Sequence, residues 1–284
     1  TGCYPWTIPD AIATTAKVRV TDTANAALTD TSDIAFTIAG TATLTAPNGG
    51  QTFTVGDPIA ITWATLGSIT TVKLEYSTNG GSTWSVITAS APSTPATPPT
   101  LGGGSYAWTA PTDTSAQFRV RVSDADTLNR PPTSDISDAN FTVKGTIAVN
   151  SPTPGMVAGE VHTAGSSATL AWATTGTIPT IKIEYSTNGF FDETQTTQVT
   201  ASAVNGANGG CTVPGGSTGC YAWTIPDLAA STVKVRVSDA RAEFSATVGS
   251  SSPNTFTIKG SLSVTSPVGT DVWKVGEVKT ISWT

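Results

Sequence analysis

A cysteine pair, two loops of aspartates and one histidine are the side chains of this chain whose types and spacing could support chemistry. Cys211 and Cys220 bracket TVPGGSTG, close enough to be joined by a disulfide that ties the intervening loop to the strand starting at Cys220. In the chain-entropy account a closed loop of roughly ten residues contributes ~2.5–3 kcal/mol. Cys3 in TGCYPWTIPD occupies the place that Cys220 takes in TGCYAWTIPD, so its partner is expected about nine residues upstream, outside this segment. A C-x-x-C metal or redox centre is excluded by the spacing and by the absence of histidine nearby. A disulfide implies an oxidising, extracellular compartment. The aspartates fall in corresponding loops, Asp22, Asp30 and Asp33 in one and Asp124, Asp126, Asp135 and Asp138 in the next. Calcium takes about six to eight oxygen ligands, of which such a loop could supply about three or four; the alternative is a solvated loop in which Asp and Ser cap their own backbone. A third copy keeps Asp239 but has Ser-Pro-Asn in place of the later pair. His162 has neither a second histidine nor a suitable cysteine near it, and reads as a surface or loop residue.

These residues are positioned by repeats. TGCYPWTIPD at 1–10 returns as GSYAWTAPTD at 104–113 and TGCYAWTIPD at 218–227. Each copy is followed by a strand with charges at alternate positions (AKVRVTD, QFRVRVSD, VKVRVSD), then by FTIAG, FTVKG or FTIKG. Next come TATLTAP, TIAVNSP or SLSVTSP and an apolar stretch ending in Trp63, Trp172 or Trp283. The expected organisation is two complete domains, 41–145 and 146–260, flanked by the C-terminal part of one domain (1–40) and the N-terminal part of another (261–284). The chain thus reads as cut from a longer array. Trp63 and Trp172 are 109 positions apart but Trp108 and Trp223 are 115 apart, so the second domain carries an insertion, and the insertion contains Cys211.

Within each domain the period is two, the mark of strands with one buried face. Val72, Leu74 and Tyr76 alternate with Lys73 and Glu75, and Phe118, Val120 and Val122 alternate with Arg119 and Arg121; the second domain repeats this with Ile181, Ile183 and Tyr185 and with Val233, Val235 and Val237. About seven short strands per domain, with turn residues between them and no amphipathic helix, predict an all-β chain of tandem immunoglobulin-like β-sandwich domains in a linear array. Trp63, Trp108, Trp172 and Trp223 are expected at the centres of the cores. Lys73, Glu75, Arg119 and Arg121 are expected to pair across strands on an outer face. A single glycine joins one domain to the next, which predicts a stiff rod because few free dihedrals lie between the packed domains.

Composition excludes several classes. With charged residues at 12% and a net charge of -6, the chain is no basic nucleic-acid binder. No run of roughly 18 apolar residues is present to span a bilayer as a helix, and the start lacks the basic and apolar regions of a signal peptide. One histidine and three cysteines leave few groups for acid–base or nucleophilic work near neutral pH. No nucleophile–base pair, phosphate loop or zinc spacing appears, so no enzyme is expected.

The run PNGGQTFTVGDPIAITWAT, followed by VKLEYSTNGGSTW, SYAWTAP, FRVRVSD and FTVKG, resembles the immunoglobulin-like and fibronectin-III-like repeats of bacterial and archaeal surface proteins. It also resembles the Ser/Thr-rich module of fungal GPI-anchored cell-wall proteins. The resemblance spans the chain in repeating form and implies stalks, spacers and fibre elements. STNGGSTW at 77–84 looks like the Asp-box hairpin of sialidases with Asn79 in the Asp place, and in that family the box is a structural turn. In a propeller it would recur about every 40–50 residues; here it recurs once per domain, at Asn188-Gly189, where Phe190-Phe191 interrupt the pattern.

Two functions remain. The first is a structural repeat segment of an extracellular filament, sheath or cell-surface stalk, whose partners are copies of itself. The second is a carbohydrate-binding or spacer module of a secreted glycan-active enzyme or adhesin tip, contacting cell-wall or extracellular polysaccharide. A sugar platform needs exposed rings, and Trp84, Phe190, Phe191 and Trp273 are the aromatic residues outside the inward positions. No cofactor is required, with calcium at the aspartate loops as the candidate ion.

Overall fold

The computed structural model describes residues 2–95, 100–128, 130–150 and 160–284. The end of the TIAVNSP motif lies outside the described residues. By contacts the chain divides into two units, Thr1–Lys144 and Gly145–Thr284. Each holds one complete β-sandwich and a smaller set of strands.

In the first unit the small set comprises β1 (Ala13–Ala16), β2 (Arg19–Thr21), β3 (Thr29–Thr31) and β4 (Phe36–Ile38), paired as β1 with β4 and β2 with β3. The sandwich follows with β5 (Thr41–Ala46), β6 (Thr52–Thr54), β7 (Pro58–Leu66), β8 (Thr71–Ser77) and β9 (Ser85–Pro92), then β10 (Gly102–Thr109), β11 (Ser115–Asp124), β12 (Ser134–Ile136) and β13 (Phe141–Lys144). One sheet has the order β10-β7-β5 and the other β6-β13-β11-β8-β9, with β12 pairing farther along β11. The expectation of about seven strands misses two short segments. β6 pairs parallel with β13, and β12 pairs with the end of β11; at three residues each they are too short to display a period of two.

Alternation places Leu44, Ile59, Ile61, Val72, Leu74, Phe118, Val120 and Val122 in one core between the sheets, where burial of each large side chain stabilises by about 1.5–3 kcal/mol. Trp63 lies in the middle because its cross-strand partner is Gly104. A Cβ on Gly104 would stand 2.7 Å from the indole, so any larger residue there would displace the ring. The buried indole N–H donates to Ser93 Oγ (3.1 Å), satisfying a group that would be costly to bury alone. Trp108 differs from expectation, being half-buried and packed beside Tyr76 at 5.1 Å.

The second unit repeats the plan with β14 (Thr146–Asn150), β15 (Val161–Thr163), β16 (Ser167–Thr175), β17 (Thr180–Ser186) and β18 (Thr196–Val204), preceded by a 3₁₀ turn at Glu193–Gln195. Then come β19 (Ala207–Asn208), β20 (Gly219–Thr224), β21 (Ala230–Asp239), β22 (Gly249–Ser251) and β23 (Phe256–Lys259). The sheets are β14-β16-β20-β19 and β15-β23-β21-β17-β18. Trp172 repeats the tryptophan–glycine pairing with Gly219, and its N–H donates to Asn205 Oδ1 (2.8 Å). The inserted segment forms β19, which adds parallel to β20, and Cys211 and Cys220 are joined by a disulfide with Cα atoms 6.2 Å apart. His162 lies on β15, edge-on to Phe256 and 3.7 Å from Glu160, at the position Phe53 takes on β6.

A last pair, β24 (Val264–Ser266) and β25 (Ser282–Trp283), follows. The small sets leave apolar residues uncovered. Val20, which corresponds to the fully buried Val122, is 71% exposed, because no second sheet lies over it among the described residues.

Candidate functional site: the domain junction and the charged sheet face

Only Ala39 and Gly40 separate β4 from β5, and the chain passes there against the loop after β7. A Cβ on Gly40 would lie 2.9 Å from the Leu66 carbonyl oxygen and 2.8 Å from Ile12 Cδ1, so the close approach requires glycine. Ile12 packs against the core of the following sandwich. The Ser68 N–H donates to Asp10 Oδ1 (2.9 Å), and Thr133 Oγ1 donates to the Gly40 carbonyl (3.0 Å). Backbone, one carboxylate and one isoleucine therefore hold the preceding strand set at the pole of the sandwich. Asp10→Ala is expected to cost about 1.5–3 kcal/mol of that docking, the usual worth of a hydrogen bond to a charged acceptor. Faster amide exchange at Ser68 and larger nanosecond motion of residues 2–40 would register it, and unchanged relaxation would show that Ile12 suffices.

The aspartates of this pole all have partners, two of them sharing one arginine. Asp124 Oδ2 lies 3.0 Å from Arg130 Nε, close but off the hydrogen-bonding direction, and its Oδ1 accepts from the Asp126 N–H. Asp126 lies 3.7 Å from Arg130 Nη1. Both Arg130 Nη groups donate to the Ser68 carbonyl (3.3 Å each). Asp135 Oδ2 instead accepts from the Leu44 N–H (2.8 Å), and Asp138 Oδ2 from Asn48 Nδ2 (2.6 Å). In the first loop Asp22 caps the Ala24 N–H, Asp30 is exposed on β3, and the Asp33 carbonyl accepts from Lys17. Among the described residues no three Asp, Glu, His or Cys are grouped to hold a metal. Calcium at Asp124 and Asp126 would have to displace the Arg130 guanidinium.

The second sandwich places a guanidinium in the same way. Arg241 Nη2 lies 2.6 Å from the buried Asp239 Oδ2 and donates to the Thr177 carbonyl (3.4 Å), the counterpart of Ser68. A search for carboxylate ligands overlooks these arginines. The available signal is one arginine in each loop, in SDADTLNR and SDARAEF.

On the outer face of the larger sheet, Glu75 is buried beneath its partners. Lys73 Nζ lies 2.7 Å from Oε1, and Arg121 Nε and Nη2 donate to Oε2 at 2.9 and 2.7 Å. The Arg121 guanidinium stacks 4.4 Å over Trp84. Arg119 is not part of this group; its Nε donates to Asn140 Oδ1 (2.7 Å). Burial alone would raise the Glu75 pKa, but the hydrogen bonds and charges of Lys73 and Arg121 outweigh it and hold the carboxyl below its ordinary 4.5. A depressed carboxylate contributes stability that is complete above the unfolded pKa and is lost as pH falls through the folded one. The first sandwich is therefore expected to lose stability below about pH 4.5, and Glu75→Gln to flatten that loss in a denaturation series across pH 6 to 2. An unchanged slope in the variant would move the effect to other carboxylates.

The second sandwich carries Lys182, Glu184 and Arg236 in the same register, with Phe190 4.5 Å under the guanidinium. The first turn of the hairpin is the same in both copies, although the second hairpin is longer and its ring comes from an earlier position. Ser77 Oγ accepts from Gly81 N–H, and Ser186 Oγ from Phe190 N–H. Phe190 adopts φ 65° where Gly81 has φ 97°. That conformation costs a residue with a Cβ about 1–2 kcal/mol, and the ring's contact with Arg236 offsets part of it. Phe191 and Trp273 are exposed.

No family profile matches this sequence, and no curated protein matches it. Among solved structures, the fibronectin(III)-like modules of Clostridium thermocellum CbhA align over 77% of this chain and 94% of theirs, at 15% identity and a TM-score of 0.25. The first two Ig domains of DIP-gamma align over 77% and 97%, at 10% identity and 0.29. A tandem pair of titin Ig domains aligns over 79% and 100%, at 11% identity and 0.29. The assignment of tandem immunoglobulin-like sandwiches rests on the sheet topology described above.

Proposed function

We propose that this chain is a structural segment of an extracellular filament, sheath or cell-surface stalk, built as a tandem array of sandwich domains whose partners are further copies of the same unit. The observation that carries this reading is the junction at Gly40, where two residues connect β4 and β5 and Asp10, Ile12 and Ser68 lock the neighbouring pieces together. A linker meant only to tether would be longer and free of such contacts. The disulfide supports an oxidising compartment, and no helix among the described residues is long and apolar enough to cross a membrane.

Electron microscopy of the native assembly tests the proposal. A continuous fibre with an axial repeat of one sandwich domain is the expected result. Discrete short rods would move the chain to a stalk or accessory module of a secreted enzyme or adhesin, and compact particles would overturn the array.

A further inference from the structure

Arg121 and Arg236 occupy equivalent sites, and their hydrogen-bonding edges are used differently. Both direct Nε and Nη2 at the glutamate of the neighbouring strand, Glu75 or Glu184, and both lay one face on an aromatic ring. Arg236 uses its remaining edge as well: Nη1 and Nη2 donate to the two carboxylate oxygens of Glu193 at 2.8 and 2.9 Å. Glu193 belongs to the longer hairpin of the second sandwich, and the shorter STNGGSTW hairpin of the first supplies no counterpart. No described residue takes the Nη1/Nη2 edge of Arg121, which is the geometry that binds a carboxylate bidentately.

Arg121 lines a cavity of about 330 Å³ with Lys73, Ser123, Thr127, Thr133 and Ser134, together with Glu75 and Asp124, and in the second sandwich Arg236 and Glu193 both line the matching cavity. Glu75 is neutralised by Lys73 and Arg121 and Asp124 by Arg130, so neither presents an unpaired negative charge to an incoming anion. The remaining lining sets the hydroxyls of Ser123, Thr127 and Ser134, with Thr133 held on the Gly40 carbonyl, beside the apolar Ala89, Ala125 and Pro132. We propose that this cleft binds a hexuronate unit of an acidic polysaccharide, its carboxylate taking on Arg121 the place that Glu193 takes on Arg236 and its ring hydroxyls meeting the serine and threonine hydroxyls. A peptide carboxylate would use the arginine edge equally well but bring no hydroxyls to Ser123, Thr127 and Ser134.

The arginine Nε–H resonances of the full 284-residue chain, which has six arginines, report the test directly. Titration with D-glucuronate is expected to move the Arg121 signal with a dissociation constant of about 1–10 mM, as suits one charged contact and a few hydroxyls. The Arg236 signal stays in place, D-glucose has no effect, and acetate binds at least about tenfold more weakly, the acetate arm separating recognition of a sugar from that of any carboxylate. In Arg121→Lys the backbone amide shifts that glucuronate induces at Ser123, Thr127 and Ser134 of the unaltered protein are lost. Glu193→Ala frees the second edge, beside a cavity also lined by Ser238, Ser245 and Thr247, and makes Arg236 responsive. No movement of Arg121 up to about 50 mM glucuronate, equal response to acetate, or equal movement of Arg236 in the unaltered protein would each overturn the proposal.

Discussion

Replacing Arg130 by alanine is expected to destabilise the first complete sandwich by about 3 kcal/mol, the loss that follows when one member of a buried ion pair is removed. The Asp124 side chain is only 5% exposed and that of Arg130 14%, so the carboxylate left behind cannot recover its hydration. The Ser68 carbonyl loses both Nη donors at the same time, and the loop that receives Asp10 loses its support from within the sandwich. For a domain of this size the melting temperature should fall by roughly 10 °C or more. A fall equivalent to less than about 1 kcal/mol would class the pair with surface contacts. The variant also tests the acidic loop: with the guanidinium gone, Asp124, Asp126 and the Ser68 carbonyl lack a cation, and recovery of the melting temperature with millimolar calcium would reveal a latent ion site. No recovery would assign the pole to arginine alone.

Reduction of the Cys211–Cys220 disulfide is expected to lower the stability of the second sandwich by about 2.7 kcal/mol, the chain-entropy value for a loop of about ten residues, and to leave the first unchanged. The three cysteines of the chain are Cys3, Cys211 and Cys220, so residues 41–145 contain none. Alkylation of the native protein should label the exposed Cys3, and labelling after reduction and denaturation should reach all three. Asn208 provides the internal comparison, because its side-chain amide donates to the Val204, Gly206 and Cys220 carbonyls and pins the same loop without a covalent bond. If reduction costs less than about 1 kcal/mol, Asn208 is sufficient to hold β19 on β20.

Period and repetition made most of the fold legible. Alternation in VKLEYS and FRVRVS set the inward face of β8 and β11, and the three copies of the YAWT-type motif set the repeat. Both are local properties: a strand's side chains point to opposite faces whatever lies beyond them. The pairing of Cys211 with Cys220 was legible for the same reason, since nine residues of chain fix how far apart the sulfurs can be. The glycines opposite Trp63 and Trp172 were visible as residues, but their use as space for an indole depends on the register of β7 with β10 and of β16 with β20.

What fills the acidic pole depends on tertiary structure alone. Arg130 follows Asp124 by six residues and Arg241 follows Asp239 by two, yet both guanidinium groups reach the aspartate and the carbonyl of the facing loop. No sequence spacing encodes that equivalence, because loops of different length bring a long flexible side chain to one point. The burial of Glu75 is of the same kind. Alternation assigns it to the solvent face, and it becomes enclosed only when Lys73, Arg121 and Trp84 converge over it from β8, β11 and the hairpin. The open edge of Arg121 emerges only by superposing the two sandwiches, where one hairpin returns a glutamate and the other does not.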